Sequence, residues 1–121
     1  MLKLEDVTFE VFCIEEHAQI EGNALALRDD AEDAKEETRI RESLESGNPW
    51  AWCTVEVRGM WKSLSASDFL GCCSYASEEN FCEPGGYFDD MKNEVLNELN
   101  GIYSEVTSHN ALDYKNGFLH A

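Results

Sequence analysis

The chain has 121 residues, 43% of them apolar and 11% aromatic, which is enough for one compact domain over residues 1–121 and too little for two. Its 25 Asp and Glu residues against 9 Lys and Arg residues give a net charge of −16. Such a composition argues against autonomous binding to DNA, RNA or an anionic membrane, because those partners require clustered basic side chains.

The first predicted element is a strand at residues 7–14. Two sets of side chains alternate there, and the segment is rich in aromatic and β-branched residues. One set consists of Val7, Phe9, Val11 and Cys13, and the other of Thr8, Glu10, Phe12 and Ile14. A period of two with these residue types favours a strand over a helix.

A helix is predicted at about residues 31–46. Asp30 is a suitable N-cap, more acids occupy the first turn, and Gly47 followed by Pro49 is a natural stop. Its apolar stripe is thin and consists mainly of Ala34, Ile40 and Leu44. We therefore expect a second, polar helix that covers the edge of a core rather than its centre.

The main strand is predicted to run from Trp50 to Trp61. One face of it would carry Ala51, Cys53, Val55, Val57 and Trp61, and the other Trp52, Thr54, Glu56, Arg58 and Met60. Residues 62–67 are predicted as a polar turn and residues 69–75 as the returning strand. The sequence Pro-Gly-Gly at residues 84–86 then breaks the chain.

The strongest helical signal begins at Tyr87. Apolar side chains recur there at intervals of three and four residues, at Phe88, Met91, Val95, Leu99, Ile102 and Val106. This spacing is typical of an amphipathic helix that faces a core. With the order strand, helix, strand, strand, helix, the sequence predicts an α+β domain in which a small antiparallel sheet packs against the C-terminal amphipathic helix.

The negative charge is concentrated in two blocks. Residues 1–45 contain 14 acids and 5 bases, and residues 76–105 contain 8 acids and a single base, Lys92. Residues 46–75 and 106–121 are each neutral. The net charge therefore comes from two segments that flank a neutral, aromatic middle.

Four acids of the C-terminal helix are predicted to lie opposite its apolar stripe: Asp90, Glu94, Glu98 and Glu105. Residues four apart lie about 6 Å apart along a helix axis, which is close to the phosphate spacing of a DNA strand. Two interpretations remain open. The acids form an ordinary solvated face, or they mimic a phosphate backbone and bind a basic nucleic-acid channel of another protein.

The first helix offers the same two interpretations at Glu32, Asp33, Glu36 and Glu37. Its acids are partly offset, because Arg41 is at helical pairing distance from Glu37 and from Glu45. Two acidic blocks on one small domain nevertheless raise the weight of the mimic interpretation above its base rate.

Three tryptophans lie close together, at positions 50, 52 and 61. Because side chains alternate along a strand, Trp52 and Trp61 cannot both be buried on the same face. We therefore expect one of them to cover a second surface, beneath a helix or in an interface.

The face that carries Trp52, Arg58 and Met60 is the predicted contact for a homodimer or another partner.

The five cysteines are an odd number, which argues against a complete set of internal disulfides. With no leader-like or membrane-spanning segment, we expect reduced thiols and a cytoplasmic protein.

The sequence also lacks the paired ligand spacing of a structural zinc site at Cys72, Cys73, Cys82 and His109, so we expect no metal and no cofactor. No local signature marks a catalytic nucleophile or carboxylate pair, and the chain is not predicted to be an enzyme.

Three stretches together resemble small acidic accessory proteins of bacteriophages and other mobile elements: residues 21–25, residues 50–57, and residues 68–75 followed by 87–92. The resemblance covers about residues 20–100 and includes no catalytic motif. It implies a place in the cytoplasm of a host bacterium. Because such proteins often block host defence nucleases, it also implies an anti-CRISPR or anti-restriction function as a DNA mimic.

Two hypotheses of different classes follow. In the first, the chain is an inhibitor that binds the basic groove of a host nucleic-acid-binding defence protein through its acidic residues, without touching nucleic acid itself. In the second, it is a non-enzymatic accessory or adaptor domain that acts as a homo-oligomer through Trp52, Arg58 and Met60. Its acidity then serves solubility alone.

Overall fold

The structure is a computed structural model that describes residues 1–24 and 30–115, without the side chains of residues 30 and 108–115. Its elements are β1 (Thr8–Glu15), α1 (Asp30–Glu45), β2 (Cys53–Trp61), β3 (Leu64–Cys73), α2 (Glu78–Phe81) and α3 (Tyr87–Lys115), with short 3-10 turns at Leu4–Asp6 and Pro49–Ala51. The predicted order of strands and long helices is confirmed.

The three strands form one antiparallel sheet in the order β1-β2-β3. α3 packs on one face of this sheet, where Val55 and Val57 of β2 and Val95 and Leu99 of α3 are completely buried. These contacts form the main core. The predicted α+β fold, with a small antiparallel sheet against the C-terminal amphipathic helix, is therefore confirmed.

The main strand starts later than the sequence indicated. Pro49 opens a 3-10 turn, and the side chain of Asn48 caps this turn by accepting a hydrogen bond of 3.1 Å from the backbone N–H of Trp50. β2 begins only at Cys53. The strand prediction was wrong for the first residues because the capped turn satisfies the backbone groups that a strand would otherwise pair.

The connection between β2 and β3 is shorter than the predicted polar turn. Only residues 62–63 link the two strands, and Lys62 adopts a positive φ of 54°. β3 already begins at Leu64. Ser65 and Ser67 lie on the sheet face away from α3, which explains why a polar segment forms a strand here.

α2 is a single helical turn that the sequence prediction missed. The hydroxyl of Ser77 accepts a hydrogen bond of 3.1 Å from the backbone N–H of Asn80, so Ser77 caps the turn. The turn places Phe81, which is 1% exposed, among three other aromatic rings at centroid distances between 5.1 and 5.9 Å. These rings belong to Trp50, Tyr75 and Phe88.

α1 lies outside the main core. Ile40 is the one fully buried side chain among those described for this helix, and it packs against Trp52 and Ala24 in a separate small cluster. The prediction of a polar helix at the edge of the core is confirmed. The helix begins at Asp30, whose side chain, the predicted cap, lies outside the described part of the chain.

α3 extends further than its apolar stripe. Met91, Val95 and Leu99 are buried, whereas Val106 is 44% exposed although it continues the same spacing. The N-terminus is attached to the middle of this helix. The backbone N–H of Leu2 donates to Oδ1 of Asn100 at 2.7 Å, and Nδ2 of Asn100 donates to the carbonyl of Leu2 at 3.1 Å.

Candidate functional site

The four acids predicted on the C-terminal helix are all exposed in α3. We call them the acidic ridge: Asp90, Glu94, Glu98 and Glu105. At 100° per residue the ridge lies about 90° around the helix from the buried stripe, so it runs beside the stripe and not opposite it as expected. The contacts of Met91, Val95 and Leu99 with the sheet fix the rotation of the helix and direct the ridge toward solvent.

The acidic ridge is not neutralised by the nearest base. Nζ of Lys92 lies 3.6 Å from a carboxylate oxygen of Asp89 and 4.4 Å above the ring of Phe88. Among the described residues, no side chain forms an ion pair or hydrogen bond with a ridge carboxylate. From Asp90 to Glu105 the ridge presents its carboxylates over about 22 Å of helix axis.

The acids of α1 have a different environment. Ion pairs within the described part of the chain join Lys35 to Glu32, Arg39 to Glu36 and Arg41 to Glu21. Arg41 therefore binds the loop before α1 and forms neither of the pairs expected within the helix. The hydrogen bond from Arg39 lowers the pKa of Glu36 below its ordinary value.

Glu37, a further residue of the predicted α1 surface, is half-buried, and its carboxylate accepts a hydrogen bond of 3.4 Å from the backbone N–H of Gly22. Glu32 is exposed and Asp33 is half-buried. The described cations of α1 thus offset part of its acidic block. The two acidic blocks, treated alike in the sequence, differ in the structure, and the ridge on α3 is the more strongly anionic surface.

Trp52 does not lie on an open face. It adopts an extended conformation just before β2, with its side chain 6% exposed beneath Ile40 of α1. Its indole Nε1 donates a hydrogen bond of 2.8 Å to the carbonyl of Ala18. Of the two locations expected for one tryptophan, beneath a helix or in an interface, Trp52 takes the first. The prediction that Trp52 forms a contact face with Arg58 and Met60 was wrong for Trp52, because Ile40 covers its side chain.

Arg58 and Met60 belong to the sheet face away from α3, and no described helix packs across this face. We call it the open sheet face, and its residues are Thr8, Glu10, Phe12, Ile14, Thr54, Glu56, Arg58, Met60, Ser65, Ser67 and Phe69. Phe69 is 58% exposed and Ile14 is 38% exposed. Sequence reasoning missed these two residues, although both alternate in phase with the predicted face.

An ion pair occupies the centre of the open sheet face. Nε of Arg58 donates to Oε2 of Glu56 at 3.1 Å, and the hydroxyl of Ser67 donates to the same oxygen at 2.6 Å. The guanidinium of Arg58 also lies 4.6 Å from the centroid of the Phe12 ring. Glu56 is only 7% exposed. Because its charge is compensated by these contacts, the free-energy cost of burying it is reduced.

A polar groove of about 330 Å³ lies between α1 and residues 74–80. Its most polar side chains are Arg39, Asn48 and Asn80. Arg39 is bound to Glu36, the amide of Asn48 donates to the carbonyls of Tyr75 and Ala76, and Oδ1 of Asn80 accepts from the backbone N–H of Ala76. The groove therefore satisfies its own polar groups and presents no converging set for a ligand.

Two of the five cysteines, Cys53 and Cys73, are buried. Cys53 and Cys73 face each other across β2 and β3 and are 0% and 5% exposed. Burial raises the pKa of Cys73 to about 11 and that of Cys53 further still, so both remain protonated near neutral pH. Among the described side chains, no three His, Cys, Asp or Glu residues are grouped closely enough to hold a metal ion.

Within the described ranges, no helix has both the length and the apolar character needed to cross a membrane. Comparison of the chain with protein-family models, with curated proteins and with solved structures finds no match. The features that distinguish this molecule are therefore its two contrasting surfaces: the acidic ridge and the open sheet face.

Proposed function

We propose that this protein is a non-enzymatic inhibitor of the bacteriophage type, and that its acidic ridge occupies the basic nucleic-acid groove of a host defence protein. The observation that carries the proposal is the set of four exposed carboxylates on one side of α3, none paired among the described residues. A groove that binds phosphates attracts such a row of carboxylates for the same electrostatic reason.

Two further features support the proposal. α3 is attached to the core by Met91, Val95 and Leu99, so the backbone that carries the ridge is ordered before binding and only the side chains lose conformational entropy on binding. The net charge of −16 adds a long-range attraction to a basic partner, which accelerates encounter and makes association sensitive to salt.

The proposal predicts that reversing two ridge charges, Glu94→Lys with Glu98→Lys, abolishes inhibition while leaving the fold intact. Both side chains are exposed, so the substitutions do not disturb the core. Glu42→Lys with Glu45→Lys is the matched control, because it makes the same change of charge at exposed positions on the other acidic helix.

The experiment begins with capture of partners from a bacterial lysate at about 0.05 and 0.5 M salt. The tag is placed at the C-terminus, because Asn100 binds Leu2 at the other end. Each captured nucleic-acid-binding protein is then purified, and its binding or cleavage of DNA is measured while wild type or a variant is titrated in.

We expect wild type and the α1 control to inhibit DNA binding by the captured protein, with inhibition weakened at high salt and absent for the ridge variant. Equal inhibition by wild type and the ridge variant would show that the ridge is not the contact. Capture that yields only proteins without affinity for nucleic acid would also reject the proposal.

A further inference from the structure

The two edge strands of the sheet, β1 and β3, differ in whether a further strand can pair with them. β3 contains a bulge within residues 70–73, where Cys72 has a positive φ of 54°. Two of its backbone N–H groups already donate to carboxylates, that of Phe69 to Asp68 at 3.0 Å and that of Cys72 to Glu16 at 2.5 Å. Bulges and charged side chains at an edge prevent the pairing of another strand, so β3 is a protected edge.

β1 is a regular edge without such protection. It pairs with β2 in one continuous register from Thr8 to Glu15. Among the described residues, no backbone group outside β2 forms a hydrogen bond with the backbone of β1. Every second residue of an edge strand directs its N–H and C=O groups away from the sheet. β1 therefore presents donors and acceptors to a further strand over roughly 27 Å.

The apolar side of β1 is incompletely covered. Phe9, Val11 and Cys13 face the same side of the sheet as α3, but each is only half-buried, because α3 packs over β2 and β3. Val55 and Val57, their neighbours on β2, are completely buried. A strand beside β1 would cover the half-buried row with its own apolar side chains.

The other side of β1 carries an exposed carboxylate, that of Glu10. Arg58 lies directly opposite Glu10 in the register, but its guanidinium binds Glu56 and lies over the ring of Phe12. No described residue forms an ion pair with Glu10. Glu15 is a second exposed acid of the strand, and the sequence of β1 contains no Lys or Arg. The edge is therefore complementary in charge to a strand that carries basic side chains.

We propose that the edge of β1 binds an extended peptide segment of another protein, in which apolar residues alternate with Lys or Arg. The segment adds a fourth strand to the sheet, and its backbone pairs with the outward N–H and C=O groups of β1. Its apolar side chains lie beside Phe9, Val11 and Cys13, and a basic side chain lies beside Glu10.

The charge of the chain decides between this occupant and a second copy. Pairing β1 with the same strand of another copy would bring together two acidic edges on molecules of charge −16, whereas a basic segment is attracted. The proposal does not rest on the inhibitor function, because the acidic ridge belongs to α3 and each surface can bind or fail to bind without the other.

The test uses a synthetic peptide in which Lys and Val alternate, with the length of β1 and with both ends capped. Amide hydrogen exchange of the full chain is followed residue by residue by NMR at about 0.15 M salt, with peptide up to about 1 mM. One control peptide has the same composition with all Lys in one block, and it reports attraction by charge alone, including attraction to the acidic ridge. The other carries N-methyl groups on its central amides, so that neither of its edges can pair.

A pair of protein variants tests the role of Glu10. Glu10→Lys reverses the charge at the edge of β1, and Glu42→Lys makes the same change at an exposed position of α1. Titration of the alternating peptide, labelled with a fluorophore, gives the dissociation constant for each variant.

We expect the alternating peptide to slow exchange at every second residue of β1 by at least about tenfold and to leave β3 unchanged. Neither control peptide should slow exchange in β1. Glu10→Lys should bind the alternating peptide about fivefold more weakly than Glu42→Lys, because a cross-strand attraction becomes a repulsion.

Three results would overturn the proposal. The first is exchange of β1 that stays unchanged at the highest peptide concentration. The second is equal slowing by the N-methylated or the block peptide, since backbone pairing would then not be the cause. The third is equal affinity of the two variants, which would remove the basic partner residue from Glu10.

Discussion

At the scale of single residues, Glu16 joins three separate segments at one end of the sheet. Its carboxylate accepts hydrogen bonds from the backbone N–H of Cys72 at 2.5 Å, the hydroxyl of Thr54 at 3.0 Å and the backbone N–H of Ala18 at 3.0 Å. The bond from Cys72, followed by the bond from Ala18, lowers the pKa of Glu16 below its ordinary value of 4.5. Cys72 has a positive φ of 54°, so the carboxylate stabilises an uncommon backbone conformation.

We expect Glu16→Gln to destabilise the fold by about 1–2 kcal/mol near neutral pH, because the amide replaces charged hydrogen bonds by weaker ones. Since the folded pKa of Glu16 is lowered, its stabilising effect is complete above the unfolded value and is lost as pH falls below about 4.5. Urea unfolding across pH measures this difference, which should shrink in acid. Glu15→Gln, at the exposed neighbouring position, should cost much less at every pH.

Gly59 is the second residue on which local geometry depends. A Cβ at this position would lie 2.5 Å from Cγ1 of Val95 and 3.0 Å from Cγ1 of Val7, so β2 and α3 approach as closely as they do because no side chain stands between them. We expect Gly59→Ala to lower the free energy of unfolding by about 1–3 kcal/mol through overpacking. Chemical denaturation measures the change.

Gly101 provides the matched control for Gly59. It lies within α3, and a Cβ there would meet nothing within 4 Å. Gly101→Ala should therefore stabilise the protein by about 0.5–1 kcal/mol through helix propensity alone. If both substitutions changed the free energy of unfolding equally, the close approach of β2 and α3 at Gly59 would leave room for a Cβ atom.

At the scale of elements, α1 depends on very few contacts. Its attachment rests on Ile40, which is 1% exposed and packs against Trp52, with Leu44 partly buried beside them. The ion pair between Arg41 and Glu21 adds a link at the surface, where such pairs contribute little. α1 should therefore be less stable than α3, the other long helix.

We expect Ile40→Ala to cost about 2–4 kcal/mol and to release α1 before the sheet unfolds, because it removes the buried anchor of the helix. Limited proteolysis with trypsin detects the release as faster cleavage after Lys35, Arg39 and Arg41. Ile14→Ala makes the same chemical change at a site that is 38% exposed and should cost less than about 1 kcal/mol. If α1 resists trypsin in Ile40→Ala as in wild type, the anchor lies elsewhere.

At the scale of the whole molecule, self-repulsion is the main electrostatic feature. The acidic ridge places Asp90, Glu94 and Glu98 at successive intervals of four residues, and Lys92, the single base in residues 76–105, forms an ion pair with Asp89. Like charges at this spacing destabilise a helix by a few tenths of a kcal/mol for each pair. The like charges of the ridge thus lower the free energy of unfolding.

We expect added sodium chloride to raise the melting temperature of wild type, because it screens this repulsion. Glu94→Gln with Glu98→Gln should stabilise the fold by about 0.5 kcal/mol at low salt and should make the salt dependence shallower. Calorimetry at several salt concentrations provides the measurement. Glu5→Gln with Glu83→Gln removes the same charge from exposed sites far apart in sequence. If this pair changed stability and its salt dependence as much as the ridge pair, the repulsion would come from net charge alone.

Much of the fold was predictable because the signals were local. The intervals from Phe88 to Leu99 identified α3, and the alternation of Val7 to Cys13 identified β1 within one residue of its observed start. Errors occurred where a neighbouring residue decided the conformation. Asn48 caps the turn at Pro49, and pairing with β2 makes the segment with Ser65 and Ser67 a strand. Neither the capped turn nor this strand follows from the periodicity of the sequence.

The sequence by itself determined the α+β class, the helix that carries the acidic ridge and the concentration of charge in two blocks, because periodicity and composition are properties of the chain alone. Only the tertiary structure decided which charges are paired and which side chains are buried. In the folded molecule Lys92 forms an ion pair with Asp89, Arg41 forms an ion pair with Glu21, and Trp52 is buried beneath Ile40. Pairing and burial depend on contacts between distant segments, so the difference between the ridge and α1, and the extent of the open sheet face, appear only in the folded molecule.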